Sequence, residues 1–467
     1  MQKINPFEIS FESEKRLNKF FFIFKKIFNT DYRGINIYEV LSYSLGWRIF
    51  PLIRDELLSE KCNDKSYLNI FNKIKEREKF LKYKLFLRIF KFTALFFIFL
   101  ILRKKRKAKV LTTFYLKDID FLYYTQSFKF FLKKRDSFYF PKYSFFLKSS
   151  FNLYLDSRKF LKKLFFKLPS ALREKYREIF TYYLFYRIPF LFSYLCYLER
   201  ELKNYEYFIT HENVTKFMII LKKFFNKSFT LQHGHVWKKG VVAMGEFGFF
   251  IKNKDNFFVW GEEFKKRFLE RNIDEKFIFV TGSPFHVSLF KREKKYQREK
   301  GRILYITQQA KGMEDELIYI FSTFLEGYKR ALEVKRDLFL VIKARKRENL
   351  KIYKELLKKI KFKNFFILTT NLWDEIEKAE IVFSSYSTAI YEALFLNNYI
   401  FCIFPKNLTP PFPYDLFKIP FSTDPEEIRN YIINPYPVNN DKNILKKFFD
   451  NLLEPDSVFV KIKDTIK

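Results

Sequence analysis

The feature that most constrains the fold is an alternation of short apolar runs and amphipathic stretches between residues 205 and 405. EYFITHEN, KSFTLQHG, DNFFVWG and KFIFVTGSP contain runs of strand length, and stretches such as EEFKKRFLERN between them have helical spacing. A second series runs from GRILYIT through DLFLVIKA, NFFILTT, EIVFS and YIFCIF. Strand–helix–strand units at this pitch predict parallel, doubly wound sheets. The predicted fold class is therefore α/β.

A charged connector, KREKKYQREKG at residues 291–301, separates the two series. A chain of 467 residues also exceeds the size at which one hydrophobic core keeps growing. We therefore predict two Rossmann-like domains, with a helical accessory region before them and a helix after them. Two such units joined by a linker resemble the GT-B fold, which implies that they face a cleft and that the last helix crosses back. The expected bounds are 1–105 for the helical region, 106–292 and 300–440 for the domains, and 441–467 for the last helix. Residues 119–200 are harder to assign.

The chain is strongly basic, with 88 Lys and Arg against 52 Asp and Glu and a net charge of +36. Phe, Tyr, Ile and Asn are also abundant and the basic residues are spread over the whole length, so no nucleic-acid partner is expected. Cys62, Cys196 and Cys402 lie far apart, which argues against a disulfide framework or a zinc site. The N-terminal residues lack the pattern of a signal peptide. A cytoplasmic location is expected.

One segment raises the question of a membrane. The apolar run FTALFFIFLIL at residues 92–102 has cationic side chains before it and RKKRKAK after it. Eleven residues are too few to span a bilayer, which needs about twenty. Residues 85–102 therefore predict either an interfacial helix on an anionic membrane or a buried helix that covers the next domain, and they favour a transmembrane helix less.

The residues after the strands are candidates for ligand binding, because ligands of parallel sheets bind at the carboxyl ends of the strands. In EIVFSSYSTAIYEAL, four hydroxyl side chains lie between a strand and a helix start: Ser384, Ser385, Ser387 and Thr388. A helix N-terminus with free N–H groups holds phosphate well, and Glu392, one turn into the helix, could accept from ribose hydroxyls. Ordinary capping explains one hydroxyl more easily than four. We predict a nucleotide site here.

Two more strand ends fit the same site. LVIKARKREN places Lys343, Arg345 and Lys346 after a strand, where cations could clamp a phosphate, although a solvated loop is an equal alternative. The turn GSP follows another strand and contributes Gly282 and Ser283, but such a tripeptide also makes ordinary turns.

The candidates for catalysis come from two earlier strand ends. His233 follows a strand in LQHGH and precedes a glycine, while His211 and Glu212 follow the strand in FITHEN. An imidazole titrates near neutral pH and suits a general base. A structural histidine is the usual alternative at either position. Which of the three acts as the base is left open.

The motifs of other enzyme classes are absent: GxxxxGK[ST], GxGxxG, HExxH and GxSxG do not occur. Neither a DxD triplet nor another compact acidic pair with an evident metal-binding role accompanies the basic groups of the predicted site. We therefore expect no metal and no cofactor besides an activated donor.

Taken together, QHG after a strand, VWG, TGSP and the later IK and SSYST segments resemble the bacterial GT-B transferases of surface polysaccharides. That group includes capsule, Kdo and sialic-acid transferases and the CDP-glycerol glycerophosphotransferases. The resemblance covers about residues 205–405 and implies that His233 activates an acceptor while the Ser-rich segment holds a nucleotide. IKARKRE departs from the group, many of whose members have a His-Pro pair there.

The resemblance implies a nucleotide-sugar glycosyltransferase with a glycan or glycolipid acceptor, peripheral on the inner face of the cytoplasmic membrane. Two alternatives stay open. One is a CDP-glycerol-type glycerophosphotransferase. The other, of a different class, is a non-catalytic GT-B-like scaffold that binds anionic lipid or nucleic acid.

Overall fold

A computed structural model of the chain contains two separate parallel sheets, preceded by a helical region. The residues that it describes are 6–61, 110–112, 143–189, 192, 207–210, 225, 227–232, 234, 236, 255–308, 314–344, 348, 350–359, 365–368, 370–396, 399–410 and 412–466. Within these ranges, the strands of the first sheet lie between residues 110 and 280, and those of the second between 302 and 402.

The helical region begins with two long helices joined by a hairpin. Helix α1 (Pro6–Phe28) leads into strands β1 (Asp31–Tyr32) and β2 (Ile35–Asn36), and α2 (Ile37–Lys61) follows directly. Apolar residues at three and four spacing bury one face of α1 against α2, as this pattern predicts. The third helix expected in this region falls outside the described residues.

A second group of helices completes this core: α3 (Tyr143–Phe166), α4 (Ser170–Lys175), α5 (Arg177–Phe180) and a π-helical stretch (Thr181–Arg187). Its aromatic residues meet those of α1; the rings of Phe20 and Tyr176, for example, lie 5.6 Å apart. The helices of residues 6–61 and 143–187 therefore share one apolar core, which also includes Phe208 of β4 (Tyr207–Thr210) in the first sheet.

The described strands of the first sheet are β3 (Val110–Thr112), β4 (Tyr207–Thr210), β5 (Lys227–Leu231), β6 (Asp255–Val259) and β7 (Ile278–Val280). All neighbours are parallel, in the order β3-β4-β5-β6-β7, and α6 (Glu262–Leu269) connects the last two. These strands follow chain order without a reversal, so the doubly wound order predicted here is not seen among them. Periodicity specifies strands and helices but not the direction of each crossover.

The second sheet contains β8 (Arg302–Ile306), β9 (Phe339–Lys343), β10 (Phe365–Leu368), β11 (Ile381–Ser384) and β12 (Ile400–Cys402). Its order, β10-β9-β8-β11-β12, is parallel throughout and doubly wound. The winding direction reverses between β8 and β11, and such a switch point opens a crevice at the carboxyl ends of the strands.

Helices surround the second sheet: α8 (Glu314–Leu332), α9 (Leu350–Lys359), α10 (Leu372–Lys378), α11 (Ala389–Leu396) and α12 (Pro425–Ile433), with the short α7 (Val287–Phe290) before them. Their starts carry local signals. Asn371 and Asp424 each cap a helix by accepting a hydrogen bond from the backbone N–H two residues on, and Pro425 occupies the first turn of α12.

The C-terminal helices α13 (Lys442–Phe448) and α14 (Ser457–Ile466) return to the first sheet. Val458, Ile462 and Ile466 of α14 are buried in one cluster with apolar residues of β4, β5 and β6. A β-carbon on Gly261 would lie 2.5 Å from Lys447 O, so only glycine allows α13 to approach this closely.

Two parallel sheets, a connector and a returning C-terminal helix make up a GT-B-like α/β architecture, and the fold class predicted from the sequence is confirmed. The connector at 291–301 is anchored by Arg292, whose Nε and Nη2 donate to Glu377 Oε1 at 2.6 Å and Asp374 Oδ1 at 2.5 Å. Among the residues that the structure describes, no helix is both long and apolar enough to cross a membrane. The segment 85–102 lies outside them.

Candidate active site

The turn after β5 is built around a fully hydrogen-bonded glutamine. Gln232 Nε2 donates to Gly234 O at 2.9 Å, and Gln232 Oε1 accepts from the backbone N–H of Trp260 at 2.9 Å. The Trp260 indole N–H in turn donates to Gln232 O at 3.0 Å. Gly234 has φ +117°, a conformation that favours glycine. The QHG and VWG motifs are therefore two halves of one hydrogen-bonded joint.

This turn meets the second sheet at its switch point. A β-carbon placed on Gly234 would lie 3.5 Å from Thr388 Cγ2. Thr388 precedes α11 and follows β11, so the carboxyl end of β5 in one sheet faces the carboxyl end of β11 in the other. The two motifs singled out in the sequence are thereby brought together, although about 150 residues separate them.

The four hydroxyl groups of the Ser-rich segment (residues 384–388) have different environments. Ser385 Oγ donates to Ile403 O at 3.0 Å, and Ser387 Oγ accepts from the backbone N–H at the start of α11, 3.3 Å away. Ser384 Oγ is buried and has no hydrogen-bond partner among the described residues. Thr388 is half-buried beside the Gly234 turn. Thr388 is thus the one of the four that is accessible to a ligand, since Ser384, Ser385 and Ser387 are buried.

Glu392 is also oriented by the protein. The Trp373 indole N–H donates to Glu392 Oε2 at 2.9 Å, and the carboxylate is half-buried one turn into α11. This hydrogen bond fixes the carboxylate beside the start of α11. The predicted ribose contact stays a prediction.

Lys343 ends β9, next to β8 in the sheet, and its Nζ donates to Ala344 O at 3.1 Å. Close to it, Thr307 Oγ1 donates to Lys343 O at 3.1 Å and also contacts a Glu348 carboxylate oxygen. Tyr353 supports that carboxylate through a 2.8 Å hydrogen bond to the other oxygen. Lys343 and Glu348 are therefore both held by Thr307. Arg345 and Lys346 lie outside the described residues.

The GSP turn contacts the returning C-terminal segment. Ser283 N–H donates to Asn451 Oδ1 at 2.7 Å, and Asn451 Nδ2 donates to Ser283 O at 3.3 Å. Gly282 has φ +94°, and a β-carbon there would collide with the Asn451 side chain. Ser283 Oγ lies 2.6 Å from Nδ1 of His286. These groups have partners within the chain, and their predicted nucleotide contacts are not tested by this geometry.

The predicted catalytic residues His233, His211 and Glu212 lie outside the described residues. The strands that precede them are described. β4 and β5 are parallel neighbours in which Thr210 pairs with Thr230. The expectation that the two strands lie side by side therefore holds, and the choice of base among the three residues stays a prediction.

Sequence reasoning missed several groups that shape this region. Gln232 and Trp260 lie within motifs that were noticed, but their mutual hydrogen bonds were not foreseen. Tyr386, inside the Ser-rich segment, donates from its hydroxyl to Glu316 Oε2 at 2.9 Å. Asn451 carries no local sequence signal at all. Within the described part of the chain, no cluster of three or more His, Cys, Asp or Glu residues suits a metal ion, and metal independence stays a prediction.

No protein-family model and no curated protein sequence matches the chain. Among solved structures, it is similar to the UDP-GlcNAc 2-epimerase of Neisseria meningitidis bound to UDP-GlcNAc, at 12% identity and a TM-score of 0.42, over 63% of this chain and 89% of that one. It is also similar to S. aureus TarM in complex with Fondaparinux, alpha-GlcNAc-glycerol and UDP, at 14% identity and a TM-score of 0.41, over 59% and 58%. A third similar structure is the wall teichoic acid polymerase TagF, at 13% identity and a TM-score of 0.37, over 57% and 75%. At these values the likeness alone decides neither a family nor a reaction.

Proposed function

We propose that this protein is a metal-independent GT-B glycosyltransferase that uses a nucleotide-activated sugar to build a bacterial surface polysaccharide. The observation that carries the proposal is the contact between the Gly234 turn and Thr388, which puts the carboxyl ends of two parallel sheets face to face. A donor bound at the second sheet would then lie next to an acceptor bound at the first.

The donor phosphates bind at the start of α11. Backbone N–H groups and the helix dipole favour an anion there, Thr388 adds a half-buried hydroxyl, and the buried Ser384 hydroxyl has no partner among the described residues. Lys343 or Arg345 supplies positive charge from the adjacent strand end, and Glu392 accepts from the ribose. Cations and a helix dipole together stabilise a leaving nucleoside phosphate without a metal ion.

The acceptor is a glycan or glycolipid whose hydroxyl loses its proton to His233. A sugar hydroxyl is a poor nucleophile at neutral pH, and a positioned base contributes about a hundredfold to ten-thousandfold. The Gln232 joint fixes the turn on both sides of this position, which suits a group that must be held in place. His211 and Glu212 are the alternatives for the same role.

The donor class is tested by thermal unfolding with UDP, CDP, CMP and GDP. A nucleotide at a hundredfold excess over its dissociation constant stabilises the folded chain by about 2.7 kcal/mol. Thr388→Val should lower the affinity for the nucleotide that binds, because the substitution removes a hydroxyl but changes the side-chain volume little. The matched control is Thr465→Val, on the last helix, where the hydroxyl bonds within its own turn. No shift with any nucleotide would contradict the proposal and favour a scaffold that binds anionic lipid or nucleic acid.

Turnover distinguishes the transferases from each other. Labelled UDP-sugars and CDP-glycerol are supplied with and without a membrane-derived glycolipid acceptor, and transfer from CDP-glycerol alone would favour the glycerophosphotransferase. His233→Ala and His233→Gln should reduce transfer at least about a hundredfold while nucleotide affinity survives. His235→Ala is the control. Near-normal transfer in both His233 variants would move the base to His211 or Glu212.

The location proposed for this reaction is the inner face of the cytoplasmic membrane, with residues 85–107 held on anionic lipid. Replacing Arg103, Lys104, Lys105 and Arg106 by Gln should weaken binding to anionic liposomes at low salt. Unchanged binding would refute the electrostatic part of this proposal.

A further inference from the structure

A buried ionic cluster joins the helical accessory region to the second sheet. Arg54 of α2 reaches the start of α8, where its Nη1 donates to Glu316 Oε1 at 2.8 Å and its Nη2 contacts Asp315. The three side chains are 1%, 1% and 2% exposed. Charged side chains are almost never buried this completely unless they are paired with groups of opposite charge.

Glu316 divides its two carboxylate oxygens between different parts of the fold. Oε1 accepts a hydrogen bond from the guanidinium of Arg54 in α2 and also contacts the hydroxyl of Ser10 in α1. Oε2 receives the hydroxyl of Tyr386 at 2.9 Å, and Tyr386 lies between Ser385 and Ser387. A single carboxylate thus connects both N-terminal helices to the Ser-rich segment.

The charges in this cluster do not balance, since one guanidinium faces two carboxylates. Burial raises the pKa of Glu316 to about 7, Arg54 opposes the rise, and Asp315 adds to it. Tyr386 has its own pKa raised well above its ordinary value by burial, so its hydroxyl remains a donor at neutral pH. Removing Arg54 would leave the carboxylates without their cation and weaken the acceptor on which Tyr386 depends.

Aromatic packing supports the same connection. Phe7 of α1 lies edge-on to Phe404, beyond β12, with ring centroids 5.3 Å apart, and to Tyr319 of α8 at 6.3 Å. Tyr414 lies edge-on to Phe404, with ring centroids 6.4 Å apart, and its hydroxyl donates to Ser385 O in the Ser-rich segment at 3.0 Å. The Ser-rich segment is therefore fixed from below by contacts that continue into the accessory region.

We propose that Arg54 and Glu316 are positioning residues, which act through the Tyr386 hydroxyl to hold the Ser-rich segment in the conformation that binds the donor nucleotide. The helical accessory region is then a working part of the nucleotide site. This inference rests on the proposed function for its ligand and on the buried cluster for its mechanism.

The test uses the full chain and two readouts. Hydrogen exchange of the amides at residues 385–391 is measured without nucleotide. The dissociation constants of UDP, CDP, CMP and GDP are measured well below the melting temperature. Tyr386→Phe removes only the hydroxyl, Arg54→Met removes the cation, and Arg54→Lys restores a charge. The matched control is Tyr431→Phe, a buried tyrosine of the same domain whose hydroxyl bonds elsewhere, to Tyr436 O.

Tyr386→Phe and Arg54→Met should each accelerate exchange at 385–391 about tenfold and weaken the nucleotide by a similar factor, as expected for a lost hydrogen bond to a charged group. Their combination should be no worse than Arg54→Met alone, because both break one path. Arg54→Lys should recover part of the loss, and Tyr431→Phe should change neither readout. If Arg54→Met does not fold, Tyr386→Phe decides the matter by itself.

Three results would overturn the proposal: unchanged exchange at 385–391 in Tyr386→Phe, additive effects in the double variant, or equal acceleration along the whole of α8, which would indicate general destabilisation. Faster exchange in a protein that binds none of UDP, CDP, CMP and GDP would separate the two proposals. In that case the positioning role stands and the proposed nucleotide site fails.

Discussion

His286 should stay uncharged far below the pH at which histidine normally titrates. Its ring is buried against Trp260 and Phe449, with centroids 5.0 Å away in each case, and against Phe290 at 5.8 Å. Burial lowers the pKa of His286 to about 3, because an imidazolium would lose its hydration there. His286 packs between the first sheet and the C-terminal segment, through Trp260 and Phe449 respectively. Protonation of its ring should therefore weaken this packing.

The size and sign of the effect follow from proton linkage. In the unfolded chain the imidazole has a pKa of about 6.5, so between pH 6.5 and about 3 the unfolded state binds a proton that the folded state does not. The contribution of uncharged His286 to the free energy of unfolding is therefore fully present above pH 6.5 and is lost as the pH falls. The loss is about 1.4 kcal/mol per pH unit, which gives about 3 kcal/mol by pH 4.5.

Two measurements check this prediction. The chain has four histidines, so selective ¹³C labelling of their rings gives a spectrum in which His286→Asn identifies one signal, and that signal should not titrate between pH 8 and 5. In urea unfolding, His286→Asn should be less stable at pH 7, and its deficit should shrink by about 3 kcal/mol at pH 4.5. Ser283→Ala, which keeps the imidazole, should retain the steep pH dependence. A folded-state pKa above about 5.5, or parallel curves for wild type and His286→Asn, would refute the reasoning.

Further predictions concern the turns and the chemistry. Gly282→Ala should lower the free energy of unfolding by about 2 kcal/mol or more, because the alanine would combine a φ of +94° with a collision at Asn451; an unchanged melting temperature would contradict it. Gln232→Met keeps the length of the side chain but leaves Trp260 N–H and Gly234 O without their partner, so we expect a loss of about 2–4 kcal/mol and slower turnover. Normal stability together with normal turnover would show that the joint is dispensable. Sugar transfer should survive EDTA, and strict dependence on magnesium would overturn the metal-free chemistry.

The sequence allowed the strands and their ligand-facing ends to be predicted because the signal is local. Apolar runs such as FLVIK and IVFS form strands of the second sheet, and Ser385 and Ser387, which follow IVFS, lie at its carboxyl edge, as expected. The two motifs that were expected to share a cleft do meet, at Gly234 and Thr388. Within each sheet, parallel strands align their ends, so spacing along the chain places the polar residues at one edge. That the two edges face each other was expected from the resemblance to the GT-B fold.

Properties that depend on tertiary packing could not be predicted in the same way. The order of strands in the first sheet depends on where each crossover runs, which periodicity does not encode. The four hydroxyls of the Ser-rich segment cannot be distinguished in the sequence. In the fold, those of Ser385 and Ser387 form hydrogen bonds with the backbone, whereas that of Ser384 has no partner among the described residues. Arg54 binds carboxylates more than 260 positions away, and no local pattern around it suggests this.

The return of α14 to the first sheet has a consequence for biosynthesis. Val458, Ile462 and Ile466 complete an apolar layer whose other members, such as Phe229 and Phe258, leave the ribosome about 200 residues earlier. During that interval the layer is uncovered, although N-terminal domains generally fold first as the chain emerges. The apolar face of the first sheet therefore stays partly uncovered until α14 has been synthesised. We expect chaperone binding or aggregation at this stage of synthesis.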